Sequence, residues 1–317
     1  MSHPLVSVII PAFNCERYIV QSVQSILVQT YTNLEVLICD DCSSDNTLNT
    51  LNSLSDTRLR IFHNKQNQGV VRTRNFLIKK AGGSFIALQD ADDWSLPERI
   101  QKQVELLLAN EQLMACGTGF IKVDERGNEL FRKVFNVNYD KIRNSILKDY
   151  SFLCGSVMFR TEYFSKHRYH EFFANSGNED LYLMGILILD HRFTNLEEPL
   201  YCYRLNIMSL TKLGENKNTR RVYINQITQR LLEDYDRTKT NWLEEGNIKA
   251  LKEFEDRIKA DYPNLHRELN ERNIGQLLYW KQFGRAFKFA WLNLLDNPDY
   301  DGFRLLAYVF KRAILKR

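Results

Sequence analysis

Short apolar runs and helical repeats alternate along the first ninety residues of the chain. The apolar runs at 5–12 and 84–88 predict buried strands, and residues 34–39 and 59–63 predict two further strands between them. The segments between them predict helices, which cover residues 16–29, 45–54 (with Asp45 as its N-cap) and 72–81. This alternation predicts an α/β fold with a mainly parallel, Rossmann-like sheet flanked by helices.

Polar residues follow three of the four predicted strands. Asn14 follows the first strand, Asp40 and Asp41 follow the second, and the acidic run 90–93 follows the fourth. In open parallel sheets, ligands bind beyond the carboxyl ends of the strands. These three polar clusters therefore predict a single binding edge.

The second half of the chain is less regular. It predicts a helix at 96–110, strands within 115–135 and at 156–159 and 200–203, a helix at 179–189, and charged helices from about residue 218 onward. We therefore predict a catalytic domain over residues 1–213 and a helical C-terminal region over 214–317. Within the catalytic domain, the nucleotide-binding half covers about 1–95 and the acceptor half about 96–213.

Composition narrows the class of protein. The 317 residues are 44% hydrophobic with a net charge of +4, which is ordinary for a globular protein and does not indicate a nucleic-acid partner. No run of eighteen apolar residues predicts a transmembrane helix, and the N-terminus lacks the features of a signal peptide. We expect a cytoplasmic protein with reduced cysteines, in which the Cys39–Cys42 pair is incidental.

The acidic run after the fourth strand is a candidate metal site. Asp90, Ala91 and Asp92 form a D-x-D motif, and a third acid, Asp93, follows directly. Hard cations such as Mg²⁺ and Mn²⁺ prefer carboxylate oxygens and bridge them to phosphate oxygens. A solvated acidic turn is the alternative interpretation, but the position on the predicted binding edge favours a metal.

Two further acids occupy positions where chemistry is plausible. Asp41 ends the second strand, where its carboxylate could accept a hydrogen bond from a uracil or thymine base, or could instead form an Asx turn. Glu179 and Asp180 open a helix, where acids commonly complement the helix dipole. The sequence has no Gly-rich dinucleotide loop and no P-loop, so phosphate neutralisation would fall to a metal.

Taken together, these segments resemble the family 2 glycosyltransferases of the GT-A fold. The resemblance covers about residues 5–210, roughly two thirds of the chain. The matching segments are VSVIIPAFN (6–14), SVQSILVQTYTNLEVLICDD (22–41), SSDNT (43–47), NQGVVRTRN (67–75), DADD (90–93) with Pro97, GSVMFR (155–160), GNEDLYL (177–183) and PLYCYR (199–204).

The resemblance implies roles for the matching residues. On the donor side it implies a nucleoside-holding loop made of Pro11, Ala12, Phe13 and Asn14. It also implies that Asp41 reads the base and that Arg74 contacts the donor. In the D-x-D motif, Asp92 would be the direct metal ligand with Asp90 beside it, and Asp93 would lie on the donor-sugar side.

The resemblance also implies a reaction. Asp180 is similar to the general base of the family, with Glu179 as the neighbouring candidate. A nucleotide-sugar donor, with a UDP-sugar expected first, would react by a single inverting displacement with a hydroxyl of a glycan or lipid-linked acceptor, assisted by Mn²⁺ or Mg²⁺. Such enzymes commonly serve cell-surface polysaccharide synthesis as hexosyl- or N-acetylhexosaminyltransferases.

The sequence departs from the family pattern at two positions. Cys42 stands where glycine is usual, and a positive φ there would make cysteine a costly residue. Gln89 stands where an aliphatic residue is more common. Neither change removes a group with an implied catalytic role.

The C-terminal tail has two interpretations. Residues 281–317 contain eight Lys or Arg and three Asp, and Leu305, Leu306, Val309, Phe310 and Ile314 recur at helical spacing. A basic amphipathic helix could lie on the anionic inner face of the cytoplasmic membrane, or it could pack on the catalytic domain with its basic face in solvent.

Two other functional classes rank below the glycosyltransferase. A sugar nucleotidyltransferase would normally have a Gly-rich basic loop after the first strand, where this chain has Pro-Ala-Phe-Asn-Cys-Glu. A binding module without activity would be expected to have lost the D-x-D motif or Asp180, and both are present.

Overall fold

A computed structural model describes residues 3–147, 150–174, 176–206, 218–279, 282–296 and 298–315. The chain divides into two compact units, Met1–Leu205 and Asn206–Arg317. The boundary that the sequence predicts at 213/214 lies outside the described residues.

The first unit is built on one nine-stranded sheet. Its strands are β1 (Val6–Ala12), β2 (Leu34–Asp40), β3 (Leu59–His63), β4 (Phe85–Leu88), β5 (Trp94–Ser95), β6 (Leu113–Val123), β7 (Glu129–Lys133), β8 (Met158–Arg160) and β9 (Arg192–Arg204). The order is β3-β2-β1-β4-β8-β6-β9-β5, with β7 paired to β6. The first four strands in this order are parallel, as predicted, whereas β8 pairs antiparallel with both β4 and β6.

Six helices accompany the sheet in the described part of the first unit. They are α1 (Ile19–Leu27), α2 (Thr47–Asn52), α3 (Val70–Lys80), α4 (Arg99–Ala109), α5 (Tyr139–Ser145) and α6 (Glu179–Asp190). Helix α1 buries Ile19, Val23 and Ile26 in the core that it shares with β1 and β2. Strands buried on both faces need apolar residues at nearly every position, which explains why β1, β2 and β4 are recognisable in the sequence.

Two helix starts differ from their predictions. The N-cap of α2 is Asn46 rather than Asp45, although the Asp45 carboxylate still accepts the N–H of Thr47 (3.0 Å), the first helical residue. Helix α3 begins at Val70 rather than at Arg72, since the chain turns at Gly69, whose φ is 82°.

The second unit is helical, as predicted, in its described residues. Its helices are α7 (Ile224–Thr238), α8 (Ile248–Ala260), α9 (Leu265–Tyr279), α10 (Phe283–Asp296) and α11 (Tyr300–Leu315). One apolar core joins α9, α10 and α11 through Ile274, Ala290 and Val309, each almost fully buried. None of the described helices is both long and apolar enough to cross a lipid bilayer.

Candidate active site

The carboxyl ends of β1 and β2 meet around Asp41. The Asp41 N–H donates to the Ala12 carbonyl (2.8 Å), which ties the two strand ends together. The buried Asp41 carboxylate accepts hydrogen bonds from the backbone N–H groups of Gln68 and Gly69 (both 2.8 Å) and from Asn64 Nδ2 (2.7 Å). A carboxylate has about four acceptor positions, so about one remains for a ligand.

The loop predicted to hold the nucleoside begins inside β1. Pro11 and Ala12 are strand residues, whereas Phe13 is 42% exposed just beyond the strand end. Asn14 has a φ of 49°, and its Oδ1 accepts the Ser44 N–H (2.8 Å) from the loop after β2. The two loops are therefore joined to one another at the binding edge.

Cys42 has a positive φ of 62°, so the turn after β2 has the geometry in which glycine is favoured. A positive φ was the condition under which a cysteine at this position is costly, and the structure confirms it. A β-carbon in this region carries roughly 1–2 kcal/mol of backbone strain.

The D-x-D loop follows β4 at the same edge. Asp90 is one third exposed, its N–H donates to Tyr201 Oη (3.1 Å), and Ser22 Oγ donates to its carbonyl (3.0 Å). Ala91 and Asp93 are buried and Asp92 is half-buried. Burial raises the pKa of Asp93 well above its usual value, and the neighbouring acids raise it further.

Arg204, the last residue of β9, fixes the D-x-D loop through its side chain and its backbone. Its guanidinium carbon lies 4.5 Å from the Tyr18 ring centroid and 4.7 Å from that of Trp94. Its Nε donates to the Asp92 carbonyl (2.9 Å), and its backbone N–H donates to Asp93 Oδ1 (2.7 Å). Backbone and side chain of one residue thus fix two consecutive positions of the loop.

Arg74 joins the D-x-D loop to the start of α6. This buried arginine of α3 donates from one terminal nitrogen to Asp180 Oδ1 (2.6 Å) and from the other to Asp90 Oδ1 (3.1 Å). Its guanidinium also lies 5.3 Å from the ring centroid of Tyr169. A planar guanidinium presents its donors in a rigid fork, so it sets the spacing between the two carboxylates.

Residues 7–168, just over half of the chain, match the sequence profile described as Glycosyl transferase family 2. This chain belongs to that family.

Relatives and a solved structure agree with this assignment. The putative glycosyltransferase EpsE of Bacillus subtilis is 34% identical over 208 residues, which are 64% of this chain and 74% of EpsE. The Escherichia coli enzyme WfgD, a UDP-Glc:alpha-D-GlcNAc-diphosphoundecaprenol beta-1,3-glucosyltransferase, is 30% identical over 213 residues, 67% of this chain and 81% of WfgD. The crystal structure of S. aureus TarS 1-349 in complex with UDP-GlcNAc superposes with a TM-score of 0.56 at 17% identity, covering 98% of this chain and 92% of that one. The predicted GT-A fold and glycosyltransferase class are confirmed.

Several residues of the transferase site were missed by sequence reasoning. Arg99 is fully buried and donates to the carbonyls of Leu88 (3.1 Å) and Gly155 (3.0 Å), which holds the exit of β4 beside the turn before β8. Lys122 of β6 lies 3.3 Å from the ring centroid of Tyr203, and burial lowers its pKa to about 8. No local signal in the sequence distinguishes these residues from surface cations.

Gly155 is another residue whose role only the structure reveals. A β-carbon at this position would lie 2.5 Å from Tyr201 Oη and 2.6 Å from Asp90 Oδ2. The absence of a side chain therefore lets the turn before β8 approach the D-x-D motif.

Next to Gly155, the Cys154 thiol lies 3.6 Å from Tyr169 Oη, and burial raises the pKa of this thiol well above its usual value.

The described residues offer few protein ligands for the predicted metal ion. Across the described residues, no group of three or more His, Cys, Asp or Glu side chains is arranged to hold a metal ion. Mg²⁺ is commonly bound through one or two carboxylates together with substrate phosphates and water. The chemistry of Asp90 and Asp92 at the cleft fits an ion of that kind.

Proposed function

We propose that this glycosyltransferase moves a hexose or N-acetylhexosamine from a UDP-sugar to a hydroxyl of a glycan or lipid-linked acceptor. The transfer would invert the anomeric centre and serve synthesis of a cell-surface polysaccharide. One observation carries the proposal: a single guanidinium, that of Arg74, contacts both Asp90 of the D-x-D motif and Asp180. The names of WfgD and of the TarS complex, which specify UDP-sugars, support the donor class.

The donor nucleoside is proposed to bind at the ends of β1 and β2. The remaining acceptor position of Asp41 is suited to the N–H of a uracil ring, and exposed Phe13 offers an apolar surface next to it. Pro11, Ala12 and Asn14 shape the backbone of this loop, since Asn14 joins it to the loop after β2. We therefore expect UDP to bind more tightly than GDP.

A divalent cation, Mn²⁺ or Mg²⁺, is proposed to be held mainly by Asp92, with Asp90 beside it. When bound, such an ion neutralises the diphosphate of the donor and stabilises the leaving group. The protein contributes a fixed D-x-D backbone, because Arg204 and Tyr201 contact this loop at Asp92, Asp93 and Asp90. Asp93 would face the donor sugar.

Asp180 is proposed to act as the general base. Its carboxylate is 31% exposed at the start of α6, so an acceptor hydroxyl can reach it. The proton of that hydroxyl would pass to Asp180 as the oxygen attacks the anomeric carbon. Arg74 would orient the carboxylate during this step, while Glu179 on the same turn would position the acceptor.

Replacing Asp180 by Asn tests the proposed base. The variant keeps the shape of the side chain and removes its basicity, so turnover should fall by about 10²- to 10⁴-fold while UDP affinity stays close to normal. The rate would be followed as release of UDP, and affinity by calorimetry.

Glu179→Gln is the matched control, and it should retain most of the turnover. An inactive Glu179→Gln beside a nearly normal Asp180→Asn would assign the base to Glu179 instead. Normal turnover in both variants would contradict the single displacement. A panel of UDP-, dTDP- and GDP-sugars, with Mn²⁺ and with chelator, would identify the donor and test the metal.

The site of action is proposed to be the cytoplasmic face of the membrane. A nucleotide-sugar donor is charged and water-soluble, whereas a lipid-linked acceptor stays in the bilayer. An enzyme that joins them must work at the boundary between the two phases.

A further inference from the structure

The last two helices of the second unit form a hairpin with two different apolar surfaces. One surface is internal: Ala286, Ala290 and Val309 are fully buried, and Leu305 and Leu306 pack against the same core. The sequence had offered Leu305, Leu306 and Val309 as lipid-facing residues of the tail. The structure places them in the packing of α9, α10 and α11 within the second unit, so these three residues are not available to lipid.

The other surface is exposed and made of large apolar side chains. It follows one stripe on each helix, because its members recur at spacings of four, seven or eleven residues. We call it the apolar band, and its members are Phe287, Trp291 and Leu295 of α10 and Phe303, Phe310 and Ile314 of α11. Their exposed fractions range from 37% at Phe287 to 63% at Ile314.

The two stripes are continuous. The rings of Phe287 and Phe310 lie with their centroids 6.2 Å apart, which joins the stripe of α10 to that of α11. Single exposed apolar residues are ordinary on a protein surface, but a contiguous group of six across two helices indicates an interaction surface.

Cations line the apolar band. Lys288, Arg304 and Lys311 are exposed, and each directly follows a member of the band, about 100° further around its helix. Acids also occur at the connection between the helices: Asp299 lies 2.5 Å from Arg267, and Asp301 lies 3.7 Å from Arg267 and 4.0 Å from Arg304. Asp301 therefore offsets part of the charge of Arg304, and the positive charge along the band comes mainly from Lys288 and Lys311.

We propose that the apolar band, with Lys288, Arg304 and Lys311, docks the protein on an anionic lipid bilayer. Aromatic and aliphatic side chains enter the boundary between headgroups and acyl chains, while lysine and arginine at their edge contact anionic headgroups. Because the apolar band runs along α10 and α11, both helices would lie in the plane of the bilayer surface, with only the side chains of the band inserted. Charge complementarity favours anionic lipid over a second copy of this chain, whose matching face carries the same positive charge.

Vesicle flotation of the full chain, without donor or acceptor, tests this surface. The protein should float with vesicles of phosphatidylcholine and phosphatidylglycerol and much less with phosphatidylcholine alone. The charge variant Lys288→Glu with Lys311→Glu should weaken binding to the anionic vesicles by more than about 30-fold, since the loss of each cation alone costs roughly fivefold and the new carboxylates repel the surface. The apolar variant Phe303→Ser with Phe310→Ser should weaken binding to a similar extent.

Matched controls separate this surface from general charge. Lys249 and Lys252 are exposed lysines of α8, and changing both to Glu should leave anionic-vesicle binding within about twofold of the parent. Trp291 provides a direct reporter, because its fluorescence should shift to the blue on vesicle binding and Trp291→Phe should lose that shift while still floating.

Three results would overturn the proposal. They are absence of flotation with anionic vesicles, equal flotation of the band variants and the parent, and self-association of the parent that the band variants abolish without any vesicle binding. The last result would show that the apolar band mediates contact between copies of this chain. UDP release with a soluble acceptor should be unchanged in every band variant, so a failure of this inference is distinct from a failure of the proposed catalytic function.

Discussion

Two acidic groups lie at the carboxyl ends of β2 and β4, on either side of β1, and the protein treats them in opposite ways. The carboxylate of Asp41 receives three hydrogen bonds, two of them from backbone N–H groups at the start of α3. The acids of residues 90–93 lie against one another, and burial with mutual repulsion raises the pKa of both Asp90 and Asp93. The fold itself stabilises the first negative charge and leaves the second only partly balanced.

The difference shows which acids depend on a ligand. Asp41 has its hydrogen-bond partners within the protein and needs no ligand to be stable, so it can hold the loop at which we propose that the nucleoside binds. Asp90 shares one cation, Arg74, with Asp180, and Arg204 donates its Nε to a backbone carbonyl instead of a carboxylate. Buried Lys122 also acts electrostatically on Asp92 and Asp93. Arg74 and Lys122 together leave the charge of the acidic run only partly balanced, so the run gains from positive charge that a ligand brings.

The largest effect should come from Asp92→Asn. Turnover should fall by about 10³-fold, because a carboxylate proposed to hold the cation is lost. The same change should lower the free energy of unfolding less than Asp41→Asn does, since it also relieves repulsion between neighbouring acids. UDP release and urea unfolding measure the two quantities, and full activity of the parent in excess chelator would contradict the expected role of the metal.

A smaller loss of activity should follow Gly155→Ala. The added β-carbon would lie 2.6 Å from Asp90 Oδ2 and 2.5 Å from Tyr201 Oη, so the Asp90 carboxylate or the Tyr201 hydroxyl must be displaced. A displacement of about 1 Å near a reacting group costs roughly 10²-fold in rate. Gly275→Ala in α9 is the control, because a β-carbon there meets no atom within 4 Å. Equal rates in the two variants would show that the loop tolerates the shift.

Asp41→Asn should lower the free energy of unfolding more than Asp92→Asn does. An amide cannot accept all the hydrogen bonds that Asp41 receives, and its NH₂ group would face a donor. We expect a loss of about 1–3 kcal/mol in the free energy of unfolding, together with weaker UDP binding. Urea unfolding compares this variant with Asp92→Asn, and a smaller destabilisation at Asp41 than at Asp92 would undo the comparison.

The smallest effect concerns Glu35, a well-partnered acid at the opposite end of β2. Burial acts to raise its pKa, but bonds donated by Ser7 Oγ (2.7 Å), the Gly82 N–H (2.7 Å) and Arg60 (2.8 Å) lower the pKa overall. The stabilisation is present above the unfolded pKa of about 4 and is lost as the pH falls further.

Glu35→Gln should therefore cost about 1 kcal/mol at neutral pH and should flatten the acid side of the stability curve. Thermal unfolding between pH 7 and pH 3 would measure this. Parallel curves for the parent and the variant would show that Glu35 is not linked to acid unfolding.

In the parallel half of the sheet, β3 at the sheet edge is half-buried, whereas the three strands β1, β2 and β4 were predictable because they are buried on both faces. Such strands leave apolar runs in the sequence, and the polar residues that end them, such as Asp41 and Asp90, mark the binding edge. The short strand β8 and its antiparallel pairings were not predictable in the same way, because three residues give no periodicity.

Within the site, the motifs located the acids but not the residues that hold them. The contact between Arg74 and Asp180 joins residues 106 positions apart, and the clamp of Arg204 reaches back to Asp92 over 112 positions. Such contacts exist only in the folded chain. Likewise, helical periodicity predicted the last helix but could not tell its buried face from its exposed one, since the neighbouring helices decide that.

The clamp at Arg204 has a consequence for the chain while it is being synthesised. Tyr18, Trp94 and the D-x-D loop leave the ribosome well before Arg204, which at about 5–20 residues per second follows Asp92 by roughly 10 s. During that interval the nascent chain has β1 to β4 but lacks the residue that fixes Asp92 and Asp93. A transferase chain that stops before residue 204 would thus be unable to fix its D-x-D loop, so we expect an unfinished product of translation to be inactive.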